Sequence, residues 1–229
     1  MSKFTIFSID GNIGSGKSTI YAHLQEIYKD NSSVIFVPEP VSQWEKIKDN
    51  VGKTMLQLFY ADQEKYAFAF QMMAYISRLS ILRKIVEENK NKEHDIVIIT
   101  ERTLYTDKHI FAKMLFDQGK IEDVEHQIYL AWFDEFAKDF PLNNVIYVKT
   151  SPEKCYERVH KRAREGEEII PLAYLEDCHR YHEEFLDKDT GIQVEQLIID
   201  GNMELIEGDT SVMDKWLNQI FFFIWDATQ

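Results

Sequence analysis

The chain has 229 residues, with 26 Lys and Arg against 39 Asp and Glu, which gives a formal net charge of −13. This length suits one well-buried domain, so we expect a single domain over residues 1–229. Proteins that coat nucleic acids carry a basic surface, so this acidic chain is not expected to bind a nucleic-acid polymer. Small phosphorylated ligands are allowed, because a few clustered Arg and Lys can hold them.

The remaining global features favour an intracellular protein. Cys155 and Cys178 are the only cysteines and lack metal-ligand spacing, which favours reduced thiols inside predicted helices. The N-terminus enters a strand without a signal-peptide pattern, and the apolar run at 220–225 is too short to span a bilayer. We therefore expect a cytoplasmic protein with no membrane partner. We interpret the 220–225 run as the buried face of the last helix.

Alternating apolar runs and helical patterns predict the fold class. Short β-branched or apolar runs predict five strands, at 4–10, 34–38, 95–100, 144–149 and 196–200. Long helical patterns lie between them, so we expect a doubly wound α/β fold, in which helices cover both faces of a five-stranded parallel sheet. One helical pattern runs from Lys53 to about Glu88, which is unusually long, and we predict a break near Asp62.

The first predicted strand runs directly into a phosphate-binding motif. Gly11-x-x-x-x-Gly16-Lys17-Ser18 lies between a strand and a helix, the context that this loop requires. The loop would surround phosphates with backbone N–H groups, while Lys17 contacts the outer phosphates and Ser18 offers its hydroxyl to Mg²⁺. A glycine-rich turn with a chance lysine is the alternative. The predicted nucleotide-binding residues are Gly11, Asn12, Ile13, Gly14, Ser15, Gly16, Lys17, Ser18 and Thr19.

Polar residues stand at the ends of the next two strands, where ligands bind in such sheets. Glu39 lies between two prolines, which hold its backbone stiffly and favour a functional role over a solvent-facing turn. Glu101 and Arg102 follow the third strand. An acidic residue there commonly completes a Mg²⁺ shell through water, which we predict for Glu101 together with Ser18; a surface ion pair is the alternative.

A cluster of arginines in the 158–168 segment is the last chemical signal. Arg158 and Arg162 are four residues apart and share a helix face, and Arg164 follows. A solvated helix face would explain them alone. With a phosphate loop in the same chain, we favour an arginine-rich lid over a transferred phosphoryl group, whose spread charge guanidinium groups stabilise well.

Several motifs together resemble one family. The segments GNIGSGKST, VPEP with a following Trp, FAFQ, SRL, ERTLYTDKHIF and IPLAYLE occur in the order and spacing of the deoxyribonucleoside kinases, over residues 4–186. The resemblance implies a P-loop kinase that uses ATP and Mg²⁺ to phosphorylate the 5′-hydroxyl of a deoxynucleoside in nucleotide salvage. It also implies a homodimer packed through the long helices at 53–88 and 121–138.

The resemblance also implies roles for single residues. Glu39 matches the carboxylate that takes the proton from the 5′-hydroxyl, and Arg102 matches the arginine beside it that contacts the phosphate side of the reaction. Together with Lys17 of the phosphate loop, these are the predicted catalytic residues. Gln71 matches the amide that pairs with the base edge. Tyr60 matches a ligand of the sugar 3′-hydroxyl together with Glu167 or, one residue along, Glu168. The nucleoside slot would be formed by Trp44, Tyr60, Phe70 and Phe111.

The pair Arg78 and Asp107 bears on the choice of base. Relatives that prefer thymidine lack this pair, whereas those acting on deoxycytidine or purine deoxynucleosides carry it. A carboxylate accepts a hydrogen bond from an exocyclic amine, whereas it would face an acceptor oxygen on thymine. The pair therefore favours deoxycytidine or a purine deoxynucleoside over thymidine and leaves cytosine, adenine and guanine open.

Two other functions are compatible with a phosphate-binding loop in this chain. A nucleoside monophosphate kinase is disfavoured because its acceptor calls for a cation where Glu39 stands. A non-catalytic relative that only binds nucleotide is disfavoured because Lys17, Ser18, Glu39, Glu101 and Arg102 are all present.

Overall fold

A computed structural model of the chain describes residues 3–162, residue 167 and residues 169–229. Arg164 and Glu168 lie outside the described residues. Among the described residues, no helix is long and apolar enough to cross a membrane.

The centre of the fold is a five-stranded, all-parallel sheet. Its strands are β1 (Phe4–Asp10), β2 (Val34–Val37), β3 (Ile96–Glu101), β4 (Asn144–Lys149) and β5 (Glu195–Asp200). Their order across the sheet is β2-β3-β1-β4-β5. Each predicted strand is confirmed, with ends shifted by at most one residue. Because β1 is central, the loop that follows it lies between the carboxyl ends of β3 and β4.

Helices connect the strands. They are α1 (Lys17–Ile27), α2 (Val41–Trp44), α3 (Met55–Ala61), α4 (Gln63–Asn89), α5 (Leu104–Thr106), α6 (Lys113–Asp117), α7 (Asp123–Phe136), α8 (Pro152–Arg162), α9 (Leu172–Phe185) and α10 (Ser211–Ala227). A π-helical segment, Asp107–Ala112, joins α5 to α6, and a 3₁₀ turn, Ala137–Asp139, follows α7. Both cysteines are free and buried, within α8 and α9.

The predicted break in the long helical pattern is confirmed at Asp62. Asp62 has φ −152° and ψ 85°, outside helical geometry, and its side chain accepts from the Lys65 N–H at 3.2 Å. An Asp that accepts from a first-turn N–H caps a helix, so the same residue ends α3 and begins α4. Thr54 and Gln57 form a capping box at the start of α3.

Alternating side chains give the sheet two apolar faces. Phe7 and Ile9 of β1 pack into a cluster with α1 and α10, which includes Leu24 and Trp216. Ile6 points the other way, into a cluster built largely from α4 and α7. Helices therefore cover both faces, as the alternating sequence pattern predicts.

The interpretation of residues 220–225 as one buried face is wrong. Ile220 and Ile224 are buried in α10, but Phe221, Phe222 and Trp225 are 45%, 62% and 54% exposed. Successive residues of a helix are turned by about 100°, so six in a row cannot share one face. The run combines a narrow buried stripe with an exposed aromatic surface.

Candidate active site

The phosphate-binding loop has the tight geometry that its glycines permit. Gly16 has φ 103° and caps the start of α1, so the next N–H groups open onto the loop. A Cβ on Gly14 would lie 2.6 Å from the Cys155 carbonyl oxygen of α8. The Asn12 side chain donates to the Leu175 carbonyl at 2.8 Å and anchors the loop to α9. The loop therefore needs glycine both for its backbone angles and for its packing against α8.

Lys17 lies at the bottom of this loop. Its Nζ donates to the Asn12 carbonyl at 2.6 Å, and its side chain is buried. Burial, together with the nearby Arg102 charge, lowers the pKa of Lys17 to about 8, while Glu101 and Glu39 oppose this shift. Within the described part of the chain, no carboxylate forms an ion pair with this ammonium group, and a phosphate would supply that negative partner.

The two residues that we predict to hold Mg²⁺, Ser18 and Glu101, contact one another in the fold. The Ser18 hydroxyl donates to Glu101 Oε1 at 2.7 Å, beside the phosphate-binding loop. No group of three or more His, Cys, Asp or Glu that could hold a metal occurs within the described part of the chain. A hydroxyl and one carboxylate still fit Mg²⁺, which takes oxygen ligands and keeps several waters when it also binds phosphates.

Glu39 and Arg102 face one another across the ends of β2 and β3. Arg102 Nη1 donates to Glu39 Oε1 at 2.6 Å, and its Nη2 donates to the Gly11 carbonyl at 3.4 Å. Burial alone would raise the pKa of Glu39, but the charges of Arg102, Arg78 and Lys17 outweigh burial and hold the pKa below its ordinary value. Glu39 is therefore ionised at neutral pH, the state in which a carboxylate accepts a proton.

Arg78 of α4 joins three parts of the site. Its Nε donates to Asp107 Oδ2 at 3.0 Å, and its Nη2 donates to Oδ1 of the same carboxylate at 3.4 Å. Its Nη1 donates to the Glu101 carbonyl at 2.8 Å, and its Nη2 lies 3.9 Å from Glu39 Oε1. Burial raises the pKa of Asp107, and the guanidinium opposes that rise. One buried cation thus connects Asp107 with the turn that carries Arg102.

One cavity of about 350 Å³ is lined by six of these residues: Lys17, Ser18, Glu39, Glu101, Arg102 and Asp107. At its apolar end, Phe70 stacks on Phe59 with ring centroids 4.5 Å apart and meets Trp44 edge-on at 5.6 Å. Trp44 is fixed by its indole N–H, which donates to Ser77 Oγ at 2.9 Å. The Arg102 guanidinium lies 5.0 Å from the Phe111 ring centroid. The cavity is therefore an aromatic slot that opens onto a charged, phosphate-binding end.

Most of the predicted site residues meet here. Those lining the cavity are Ile13, Gly14, Gly16, Lys17, Ser18, Thr19, Glu39, Trp44, Tyr60, Phe70, Gln71, Glu101, Arg102, Asp107, Phe111, Arg158, Arg162 and Glu167. Gly11, Asn12 and Ser15 shape the loop from behind, and Arg78 lies behind Asp107. The prediction for Arg164 falls outside the described residues, as does the alternative Glu168.

The predicted lid is described only in part. Arg158 donates through Nη1 to the Ser15 carbonyl at 3.3 Å and through Nη2 to the Met203 carbonyl at 3.5 Å. Arg162 pairs with Glu167, whose side chain is buried. Two of the three arginines therefore adjoin the phosphate loop or the cavity.

Five cavity residues were not predicted as site residues from the sequence: Val41, Leu56, Phe59, Ala74 and Tyr174. All five are apolar or aromatic side chains in helices, where most such residues are core. Tyr174 lies in the IPLAYLE motif, which is the one signal that could have identified it; its ring is 6.3 Å from that of Tyr60.

Comparisons with known proteins agree on one group. The family model described as deoxynucleoside kinase matches residues 7–223. A mitochondrial deoxyguanosine kinase of Xenopus laevis is 34% identical over 197 residues, covering 80% of this chain and 73% of that protein. Deoxycytidine kinase 2 of Gallus gallus is 35% identical over 199 residues, covering 80% and 74%. A Fowlpox virus (strain NVSL) protein described as "probable deoxycytidine kinase" is 35% identical over 222 residues, covering 95% and 87%.

The environment of Lys17 predicts pH-dependent nucleotide binding. Lys17 is charged below its pKa of about 8 and neutral above it, so its attraction for phosphates is lost as the pH rises through this value. The dissociation constant of a non-hydrolysable ATP analogue, measured by calorimetry, should rise by up to about tenfold per pH unit above pH 8. Lys17→Arg stays charged over this pH range, so it should flatten the pH dependence of the dissociation constant. Lys29→Arg, a change on the surface, should leave the pH dependence of the wild type unchanged. A flat wild-type profile from pH 7 to 9.5 would contradict the assignment.

Proposed function

Because the chain belongs to the deoxynucleoside kinase family, whose members are phosphotransferases, we propose that it transfers the γ-phosphoryl group of ATP to the 5′-hydroxyl of a deoxynucleoside. The observation that carries this proposal is the shared cavity: the Glu39 carboxylate and Lys17 of the phosphate-binding loop open onto the same space as an aromatic slot. A planar base fits between rings such as Phe70 and Phe111. Its sugar would then lie between that slot and the phosphates.

The proposed step follows from the positions of the charges. The 5′-oxygen attacks the γ-phosphorus, the bond to ADP breaks, and Glu39 accepts the hydroxyl proton. Glu39 is ionised because Arg102, Arg78 and Lys17 lower its pKa. Arg102 reaches both Glu39 and the loop, so its guanidinium would hold the carboxylate toward the sugar and face the phosphoryl group. Ser18 and Glu101 would hold Mg²⁺, which would offset charge on the phosphates.

The arginines of α8 complete the proposed phosphate site. Arg158 already touches the loop through the Ser15 carbonyl, and Arg162 lines the cavity. Charge spreads over the phosphoryl oxygens in the transition state, so fixed guanidinium groups act most strongly there. Glu167 pairs with Arg162 and lines the cavity near Tyr60, which supports the proposed binding of the sugar 3′-hydroxyl by Tyr60 and Glu167.

The substitution Glu39→Gln tests the prediction that Glu39 is the general base of the reaction. Glu39→Gln keeps the size and much of the hydrogen bonding but cannot accept the proton, so kcat should fall by about 10²- to 10⁴-fold. Nucleoside binding, measured by calorimetry, should be largely kept. Glu88→Gln, an exposed change on α4, is the control and should leave kcat unchanged. Wild-type turnover by the Gln variant would rule out Glu39 as the base.

We further propose that Asp107 selects against thymidine. Its carboxylate lines the cavity beside Gln71 and Ala74 and is held by a two-point contact with Arg78. An ionised carboxylate accepts from the exocyclic amine of cytosine, adenine or guanine and repels the thymine carbonyl oxygen. The relatives include deoxyguanosine and deoxycytidine kinases and also a mitochondrial thymidine kinase of Homo sapiens, 31% identical over 188 residues, so this proposal rests on the Asp107 carboxylate and not on the comparisons.

Asp107→Asn tests this selection, because its amide oxygen can still accept from Arg78, whereas changes at Arg78 would also remove the support of the Glu101 carbonyl. The free energy of unfolding is measured alongside, since the change leaves the buried Arg78 without a charged partner. The amide can donate to a thymine oxygen, so the ratio of kcat/KM for the best amino-bearing deoxynucleoside to that for thymidine should fall about 10- to 100-fold. Asp134→Asn, exposed on α7, should leave the ratio unchanged. The assignment fails if the wild type prefers thymidine or if the Asn variant discriminates as before.

The two rival functions have less support. A nucleoside monophosphate acceptor would bring a negative phosphate close to the Glu39 carboxylate. The nearby Arg102 guanidinium, which could otherwise attract that phosphate, is already paired with Glu39. A non-catalytic relative would not need Lys17, Glu39, Arg102 and the Ser18–Glu101 pair arranged around one cavity. We therefore favour a working deoxynucleoside kinase over both.

We also propose a homodimer formed through α4 and α7. These helices adjoin, since the Tyr75 hydroxyl donates to the Trp132 carbonyl at 2.9 Å. Their outward sides carry apolar residues: Ile76 is 53% exposed, Ile128 42% and Trp132 48%. A symmetric dimer would bury this apolar surface, as the family resemblance implies.

Light scattering tests the dimer. The wild type at micromolar concentration should have twice the 27.1 kDa mass of one chain. Trp132→Glu places a charge in the proposed interface and should shift the mass toward the monomer. Phe222→Glu changes an aromatic residue that is at least as exposed, 62% against 48%, on α10, which packs on the opposite face of the sheet from α4 and α7, and should not. A monomeric wild type, or dissociation by both variants, would contradict the proposed interface.

A further inference from the structure

The catalytic turn contains a strained residue. Within the described residues, Arg102 is the one non-glycine residue with a positive φ, at 62°. The left-handed region brings Cβ close to the backbone, so it persists at an arginine only where surrounding contacts hold it. The backbone angles of Arg102 determine where its guanidinium points, and that group reaches both Glu39 and the Gly11 carbonyl.

Hydrogen bonds hold both peptide planes that flank Arg102. In the plane before it, the Glu101 carbonyl accepts from Arg78 at 2.8 Å and the Arg102 N–H donates to the Ile9 carbonyl at 3.2 Å. In the plane after it, the Arg102 carbonyl accepts from the Thr100 hydroxyl at 2.6 Å. The Thr103 N–H of the same plane donates to Thr106 Oγ1 at 3.1 Å. With both planes fixed, φ and ψ of Arg102 are fixed as well.

We propose that Thr100 is a positioning residue for Arg102. Its hydroxyl holds the peptide plane after Arg102 and so keeps the guanidinium between Glu39 and the phosphate-binding loop. Thr100 is 1% exposed and does not line the cavity, so it acts through Arg102 and not on a ligand. Valine would fill the same space in β3 with a similar strand preference. The Thr100 hydroxyl is therefore not needed to fill space in β3, but it is needed to donate a hydrogen bond to the Arg102 carbonyl.

This inference rests on the proposed function, because it assigns Thr100 a part in phosphoryl transfer. The test uses Thr100→Val, which removes the hydroxyl at nearly constant shape, and Thr100→Ser, which keeps it. With the deoxynucleoside that the wild type phosphorylates best, Thr100→Val should lower kcat about 10- to 100-fold, since small misplacement of a catalytic group has effects of this size. The nucleoside KM should change far less, and Thr100→Ser should retain most of the wild-type kcat.

A second comparison separates positioning from a general effect on the fold. In an Arg102→Ala background, measured with a radiolabelled γ-phosphate, adding Thr100→Val should cause no further loss of kcat, because the guanidinium it positions is absent. A crystal structure of the Val variant should also show the guanidinium displaced from Glu39. If the Val variant does not fold, Thr100→Ala takes its place in both comparisons.

The outcomes are distinct. A wild type that phosphorylates no deoxynucleoside would overturn the proposed function and the role of Thr100 with it. An active wild type with an equally active Val variant would overturn the positioning role alone. Equal losses from the Val change with and without the Arg102 side chain would also overturn it, since the hydroxyl would then act independently of the guanidinium.

Discussion

The contact between Arg78 and Asp107 is the interaction on which the rest of the site depends. Both side chains are almost fully buried, at 1% and 3% exposure, where an unpaired charge would be very costly. The same guanidinium also binds the Glu101 carbonyl and lies near Glu39. Four segments therefore have fixed relative positions: the end of β2, the end of β3, the middle of α4 and the start of the π-helical segment that carries Asp107.

This arrangement explains why a buried ion pair can be useful although it adds little net stability. Replacing a buried pair with apolar residues is often neutral or stabilising, whereas removing one partner is costly. The value of the pair here lies in geometry, because it ties the wall of the aromatic slot to the turn that aims Arg102. A π-helical segment is uncommon and is frequently found at functional sites, and here it begins at Asp107. The residue proposed to recognise the base and the turn proposed to act in phosphoryl transfer thus share one structural support.

Much of this could be predicted from the sequence, for identifiable physical reasons. The strands follow from short β-branched or apolar runs, and the break near Asp62 follows from the unusual length of one helical pattern; both are local signals. The phosphate-binding loop and the Ser18–Glu101 pair follow from motif context and from strand ends that meet at one edge of a parallel sheet. Glu39 was predictable because two prolines mark its position.

Other features depend on tertiary contacts and left no local signal. Phe59 looks like any core aromatic residue until its ring is seen stacked on Phe70 at the cavity wall. The left-handed backbone at Arg102 depends on the Ile9 carbonyl of β1, which accepts from its N–H, and on Arg78 of α4, which donates to the preceding Glu101 carbonyl. The 220–225 run was misjudged because apolar composition does not say which side of a helix is covered.

The central claim is that one cavity holds a deoxynucleoside and the γ-phosphate of ATP together. It is tested most directly by incubating the wild-type protein with ATP, Mg²⁺ and each of deoxycytidine, deoxyadenosine, deoxyguanosine and thymidine. Mass spectrometry would identify the products, and NMR coupling between the phosphorus and the hydrogens on the 5′ carbon would show that the phosphate is on the 5′-oxygen. We predict equimolar ADP and a 5′-monophosphate, formed fastest with an amino-bearing base. Release of ADP without a phosphorylated nucleoside would contradict the account, as would phosphorylation only of the corresponding deoxynucleoside monophosphates when these are offered in parallel incubations.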